Sequence, residues 1–79
     1  MKIKPEHYEQ MKAAINSLDR QKVTEHKALG LGQNKEKRFV WDLFSAAKLY
    51  SFASVTLYSY LNDSHIETAL FRIVKELEL

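Results

Sequence analysis

The chain has 79 residues and a formal net charge of +2, and its 46% hydrophobic and 28% charged residues are those of a globular rather than a disordered protein. Cysteine is absent, which excludes disulfides and thiolate metal sites, and two glycines with one proline argue against a turn-rich β fold. The N-terminus lacks the apolar core of a secretory signal and no apolar run reaches the roughly 18–20 residues of a membrane span, so we expect one cytoplasmic domain over residues 1–79.

The first helix is predicted over about residues 5–18. Pro5 followed by Glu6 is typical of a helix start, where the missing amide costs nothing and an acid suits the dipole. Apolar residues then recur at spacings of three and four, which gives one buried stripe: Tyr8, Met11, Ile15 and Leu18.

A second, short helix is predicted from Arg20 to Leu29. Its composition is mostly polar, so we expect it to lie on the surface. Gly30 is the predicted left-handed terminator, and residues 31–34 form the predicted loop that follows.

The central helix is predicted over about residues 36–50, where the strongest apolar pattern occurs. Its stripe follows i, i+3, i+4 and i+7, with Phe39 and Tyr50 at the margins: Val40, Leu43, Phe44 and Ala47. We also assign Phe52 and Phe71 to packing.

Residues 51–61 are ambiguous. Val55, Thr56 and the two tyrosines that follow favour a strand by propensity, whereas the spacing of the apolar residues favours a helix. Because a lone strand would have no partner, we predict a short helix over about 52–60.

The last helix is predicted over about residues 64–78. Ser64 precedes Glu67 by three residues, which is the spacing of a capping box. A continuous apolar stripe follows, and the two longest helices are expected to form the centre of a compact all-α bundle of four or five short helices. The positions predicted to be most buried are Val40, Leu43, Phe44, Ala47, Ile66, Leu70, Ile73 and Val74.

Catalytic or metal chemistry is not indicated. His7, His26 and His65 have no metal-binding spacing, and they are expected to be ordinary surface histidines. Asp63, Ser64 and His65 are adjacent at a helix start, where their side chains diverge too much for a catalytic triad. We therefore expect no enzyme activity, no metal and no cofactor.

Basic and aromatic residues are the candidates for binding a partner. Lys35, Lys37 and Arg38 form the densest basic cluster and lead directly to Trp41, a pattern that suits a phosphate backbone with a stacked base, or a protein interface. Tyr58 and Tyr60 are further candidates. The alternative for all these rings is that a domain this small needs them in its core.

Charge is unevenly divided along the chain. Residues 1–40 hold nine bases and five acids and residues 41–79 hold three and five, so the halves carry +4 and −2. This asymmetry predicts either an oriented approach to a charged partner or an ordinary solvated basic face.

Two stretches carry a family resemblance. Residues 37–47 read KRFVWDLFSAA and residues 57–70 read LYSYLNDSHIETAL, after an opening at residues 3–15 of IKPEHYEQMKAAI. Together they resemble the W-D-L-x-x-A-A and Y-L-N-D-x-H-I-x-T-A-L motifs of small proteins encoded by bacteriophages and other mobile elements. The resemblance covers most of the chain, and residues 20–35 diverge.

This resemblance implies an inhibitor that acts stoichiometrically, as anti-CRISPR proteins do, by blocking a nucleic-acid channel or a subunit interface. It brings no catalytic residues. We accordingly expect a phage-encoded inhibitor of a host defence system that binds a protein or nucleoprotein, such as a CRISPR effector, in the bacterial cytoplasm. The alternatives are a small nucleic-acid-binding phage regulator and a homodimeric phage structural or assembly protein that buries Tyr58 and Tyr60.

Overall fold

A computed structural model describes residues 3–29, 34–55 and 63–79, and within these ranges the chain forms five α-helices and no strand. The all-α bundle predicted from the sequence is confirmed. None of the described helices is long and apolar enough to cross a membrane. The helices are α1 (Pro5–Asn16), α2 (Arg20–Ala28), α3 (Lys35–Ala46), α4 (Leu49–Val55) and α5 (Asp63–Glu76).

The first two helices begin where the sequence indicates. Lys4 is extended and Pro5 occupies the first turn of α1, as its fixed φ favours. Asp19 caps α2, because its carboxylate accepts a hydrogen bond of 2.9 Å from the Gln21 amide. Gly30, the predicted terminator, and residues 31–33 of the predicted loop lie outside the described residues.

The helix predicted over residues 36–50 ends earlier than predicted. α3 stops at Ala46, and Lys48 has a left-handed φ of 58° before α4 starts at Leu49. A left-handed residue ends a helix because it turns the backbone away from the helical path. Leu49 is thereby buried, whereas Tyr50 is 59% exposed instead of lying at the margin of the α3 face. The short helix predicted over 52–60 is observed as far as Val55, and residues 56–60 lie outside the described residues.

The core centres on α3, which packs against α2, α4 and α5. Six of the eight positions predicted to be most buried are buried, whereas Ala47 and Val74 are only half-buried at the edge of the core. The assignment of Phe71 to packing is wrong, because its side chain is 39% exposed. The buried residues are Ile3, Tyr8, Met11, Ile15, Val23, Phe39, Val40, Leu43, Phe44, Leu49, Ile66, Ala69, Leu70 and Ile73.

The start of α5 differs from the predicted capping box. The helix begins at Asp63, so Ser64 lies inside the first turn rather than before it, and its carbonyl accepts a hydrogen bond of 2.8 Å from the Thr68 hydroxyl. Glu67 carries the second half of the predicted box, but its carboxylate contacts side chains of α3.

A polar cluster joins α1 to the end of α5. The Tyr8 hydroxyl donates a 2.8 Å hydrogen bond to Glu76 Oε2, and Lys12 Nζ lies 3.1 Å from the same oxygen. The Arg72 guanidinium lies 5.7 Å from the centre of the Tyr8 ring and 3.3 Å from Glu76 Oε1. Burial, and next the bond to Glu76, raises the pKa of Tyr8 to about 12. The hydrogen bond from Tyr8, followed by that from Lys12, lowers the pKa of Glu76.

Leu70→Ala tests the core. Leu70 is fully buried, so the loss of its side chain should reduce the free energy of unfolding by about 2–5 kcal/mol and lower the melting temperature. Leu29→Ala is the matched control, since Leu29 is 69% exposed and its loss should change stability by less than about 0.5 kcal/mol. Equal melting curves for the two variants would contradict this core.

The pKa of Tyr8 makes stability depend on pH in the alkaline range. Its folded value of about 12 lies above the ordinary 10.0, so its contribution is complete below pH 10 and is lost as the pH rises towards 12. Tyr8→Phe should therefore flatten the decline of the unfolding free energy between about pH 10 and pH 12, measured by urea titration. Tyr50→Phe, which removes an exposed phenol, should keep the decline. An unchanged slope in Tyr8→Phe would contradict the partly buried Tyr8–Glu76 bond.

Candidate binding surface

The predicted basic cluster does not form one patch. Each residue of an α-helix turns the chain by about 100°, so Lys35 and Lys37 lie about 200° apart around α3. Lys35 faces α2, where it lines a shallow pocket of about 330 Å³ with Lys27 and Phe39. Lys37 faces α5, where its Nζ lies 3.4 Å from Glu67 Oε1. Lys35 and Lys37 are close in the sequence but therefore lie on different sides of the helix.

Arg38 is the member of the cluster that projects from the outer face of α3. It is exposed, and among the described residues it has no ion-pair or hydrogen-bond partner. Lys35 is exposed as well and is likewise unpaired within these ranges. These two cations remain available to a partner, whereas Lys37 is paired within the protein.

Trp41 is half-buried and is held by a carboxylate of α5. Its indole Nε1 donates a 2.5 Å hydrogen bond to Glu67 Oε1, the oxygen that also faces Lys37. Its ring meets Phe44 edge to face, with the ring centres 5.1 Å apart and the planes at 71°. The indole is therefore fixed in direction by a charge-assisted hydrogen bond and by an aromatic contact.

An open groove of about 380 Å³ begins at the Trp41 ring, and we call it the aromatic groove. Phe44 lines the groove although its side chain is nearly fully buried. Tyr50 meets Phe44 edge to face at 4.8 Å with an angle of 89° between the planes. The lining residues are Trp41, Phe44, Tyr50, Asp63 and Ile66.

Two polar side chains of the aromatic groove, Asp63 and Tyr50, have no partner among the described residues. The Asp63 carboxylate is exposed in the first turn of α5, and no described residue pairs with it. The Tyr50 hydroxyl likewise makes no hydrogen bond within the described ranges. Among the described residues no lysine, arginine or histidine lines the groove. Its lining therefore combines aromatic rings with a single negative charge.

Sequence reasoning selected Trp41 but missed the residues around it. Tyr50 was assigned to the helix of residues 36–50, and only the break at Lys48 separates it from α3 and brings it to the groove. The positions of Asp63 and Glu67 follow from the packing of α5 on α3, which has no local signal. Tyr58 and Tyr60 lie outside the described residues.

The histidines do not assemble into a metal site in the described part of the chain. His7, His26 and His65 are half-buried, and the described residues include no group of three His, Asp or Glu side chains that could hold a metal ion. Comparison with protein-family models, with curated protein sequences and with solved structures found no match to this chain. The chemistry of the described side chains is therefore the guide to function.

A double-mutant cycle tests the contact that fixes Trp41. Trp41→Phe removes the indole donor and Glu67→Ala removes its acceptor, so the two changes should be coupled by about 1 kcal/mol in unfolding free energy. Trp41→Phe combined with Glu25→Ala is the control pair, because Glu25 lies on α2 and the indole of Trp41 donates to Glu67 instead. Additive effects of Trp41→Phe and Glu67→Ala would show that this hydrogen bond does not form.

Proposed function

We propose that the protein is a phage-encoded inhibitor of a host defence system, of the anti-CRISPR kind, that binds a protein or nucleoprotein effector in the bacterial cytoplasm. In this proposal the protein acts stoichiometrically and without catalysis. It occupies a surface that the effector needs for nucleic acid or for a subunit.

The observation that supports this proposal is the fixed Trp41 ring at the edge of an open groove. Tryptophan and tyrosine are enriched at the energetic centres of protein interfaces, because they bury a large area with few rotatable bonds. Trp41 has lost most of that freedom already, since Glu67 and Phe44 hold it. A ring that is ordered before binding costs less conformational entropy when a partner covers it.

The unpaired cations of α3 extend this surface. Lys35 and Arg38 are exposed on the helix that also carries Trp41. They suit acidic groups of a protein or the phosphates of a bound guide or target strand, and such contacts would add orientation and association rate more than affinity. The resemblance to small phage proteins supports the same class of function.

The proposal predicts protection of a phage. A host that expresses the protein should admit a phage that its CRISPR system otherwise restricts, and the tagged protein should recover the effector from a lysate with or without nuclease. Trp41→Ala and the pair Lys35→Glu with Arg38→Glu should each reduce protection and recovery at least tenfold, the scale of an interface hot spot. Lys75→Glu is the control, since Lys75 lies in the last turn of α5, away from the groove.

Two results would overturn this function. One is unchanged restriction across hosts with different CRISPR systems, although the protein is present and folded. The other is direct binding of naked nucleic acid, with affinity that falls steeply as salt rises, which would favour the small nucleic-acid-binding regulator.

A further inference from the structure

We infer that the aromatic groove binds the guanidinium group of an arginine side chain presented by the protein partner. This inference rests on the proposed function, because it names the chemistry by which the partner is recognised. It follows from three features of the described lining: its rings, two acceptors that no described residue pairs with, and the absence of a cation among the described lining residues.

The rings suit a flat organic cation. The face of an aromatic ring carries negative charge, so a guanidinium within about 6 Å of a ring centre is attracted to it, and tryptophan is the strongest such ring. Trp41 and Tyr50 both line the groove, and each meets the buried Phe44 edge to face. The same chain already shows this contact elsewhere, where Arg72 lies 5.7 Å from the ring centre of Tyr8.

The acceptors suit the donors of the same group. Asp63 offers a carboxylate and Tyr50 a hydroxyl, and neither has a partner among the described residues. A guanidinium carries five N–H donors in one plane and matches a carboxylate with two parallel hydrogen bonds. An arginine therefore matches both kinds of group that line this groove, a ring and a carboxylate, which the compact ammonium of lysine does less well.

The groove is a poor site for an anion. Lys37 is the basic residue nearest in sequence to Trp41 on the α5 side of α3, and its charge is met by Glu67. Lys35 faces α2 on the other side of the helix. Within the described residues the lining carries one negative charge and no positive charge, so a phosphate would be repelled and a cation attracted.

An arginine-binding groove fits an inhibitor of a nucleic-acid-dependent effector. Proteins that bind nucleic acid hold its phosphates with clustered arginine and lysine residues. A protein that captures one of these arginines removes a phosphate contact and covers the channel at the same time. The groove would then supply specificity for the partner, and the outer cations of α3 would contact other parts of the complex.

The test uses the fluorescence of Trp41, which is the only tryptophan in the chain. The full-length protein is titrated with N-acetyl-arginine amide and with a short peptide that contains one arginine. Binding should change the Trp41 emission saturably, and the resonances of Tyr50 and Ile66 should shift in NMR spectra. The same titration with the lysine analogue should give weaker binding, and the uncharged citrulline analogue should give none.

Two variants test the assignment of the site. Asp63→Asn keeps a polar side chain at the start of α5 but removes the charge, and it should weaken arginine binding by roughly tenfold or more. Tyr50→Ala should weaken binding similarly, while the melting temperature falls only slightly, because the side chain is mostly exposed and loses one edge-to-face contact with Phe44. Glu25→Gln is the matched control, since it removes one carboxylate from α2 and should leave binding intact.

The inference is overturned if citrulline binds as well as arginine, if Asp63→Asn and Tyr50→Ala both bind normally, or if only a nucleotide such as guanosine monophosphate binds.

These results are distinct from a failure of the proposed function. Arginine binding by the isolated protein tests the groove alone, whereas phage protection tests the inhibitor. A groove that binds arginine in a protein that gives no protection would leave the groove in place and remove the CRISPR effector as partner.

Discussion

The carboxylate of Glu67 is the interaction on which the candidate surface depends. One oxygen of α5 accepts the indole proton of Trp41 and faces the ammonium of Lys37, and both of these side chains belong to α3. The contact is half-buried, so its hydrogen bonds are less weakened by water than those of an exposed pair. It sets the direction of the only indole in the chain and pairs the charge of one exposed lysine. The shape and the charge of the aromatic groove both follow.

The second constraint is the turn at Lys48. A non-glycine residue with a φ of 58° lies in a region that costs most residues about 1 kcal/mol or more. Here the turn ends α3, buries Leu49 and places Tyr50 beside Phe44. If α3 continued straight through residues 47–50, Tyr50 would lie farther along the same helix. The backbone cost at Lys48 is thus offset by the burial of Leu49, and the groove results from it.

Helical periodicity explains why much of the fold was predictable from the sequence and why the site was not. The stripes that include Met11, Leu43 and Leu70 identify which helix faces are buried. Apolar residues at every third or fourth position lie on one face of a helix, and that face is then buried in the core. The break at Lys48 has no such signal, since neither glycine nor proline marks it. In the sequence, Glu67 has the spacing of a capping box with Ser64. In the structure, the packing of α5 on α3 brings its carboxylate to Trp41 and Lys37 instead. Contacts between helices determine where a helix ends and which partner a carboxylate takes, and the spacing of residues in the sequence does not reveal these contacts.

The charge asymmetry of the sequence is partly cancelled by the fold. Two bases of the positive half meet acids of the negative half, since Lys37 pairs with Glu67 and Lys12 with Glu76. Partly exposed pairs of this kind add little to stability, but they neutralise charge that would otherwise act at a distance. Two of the positive charges of residues 1–40 are therefore matched by two negative charges of residues 41–79. The proposed binding surface consists of local groups: the cations Lys35 and Arg38 on α3, and a carboxylate beside two aromatic rings in the groove. Recognition by such a surface depends on the geometry of single groups more than on net charge, as an arginine-binding groove requires.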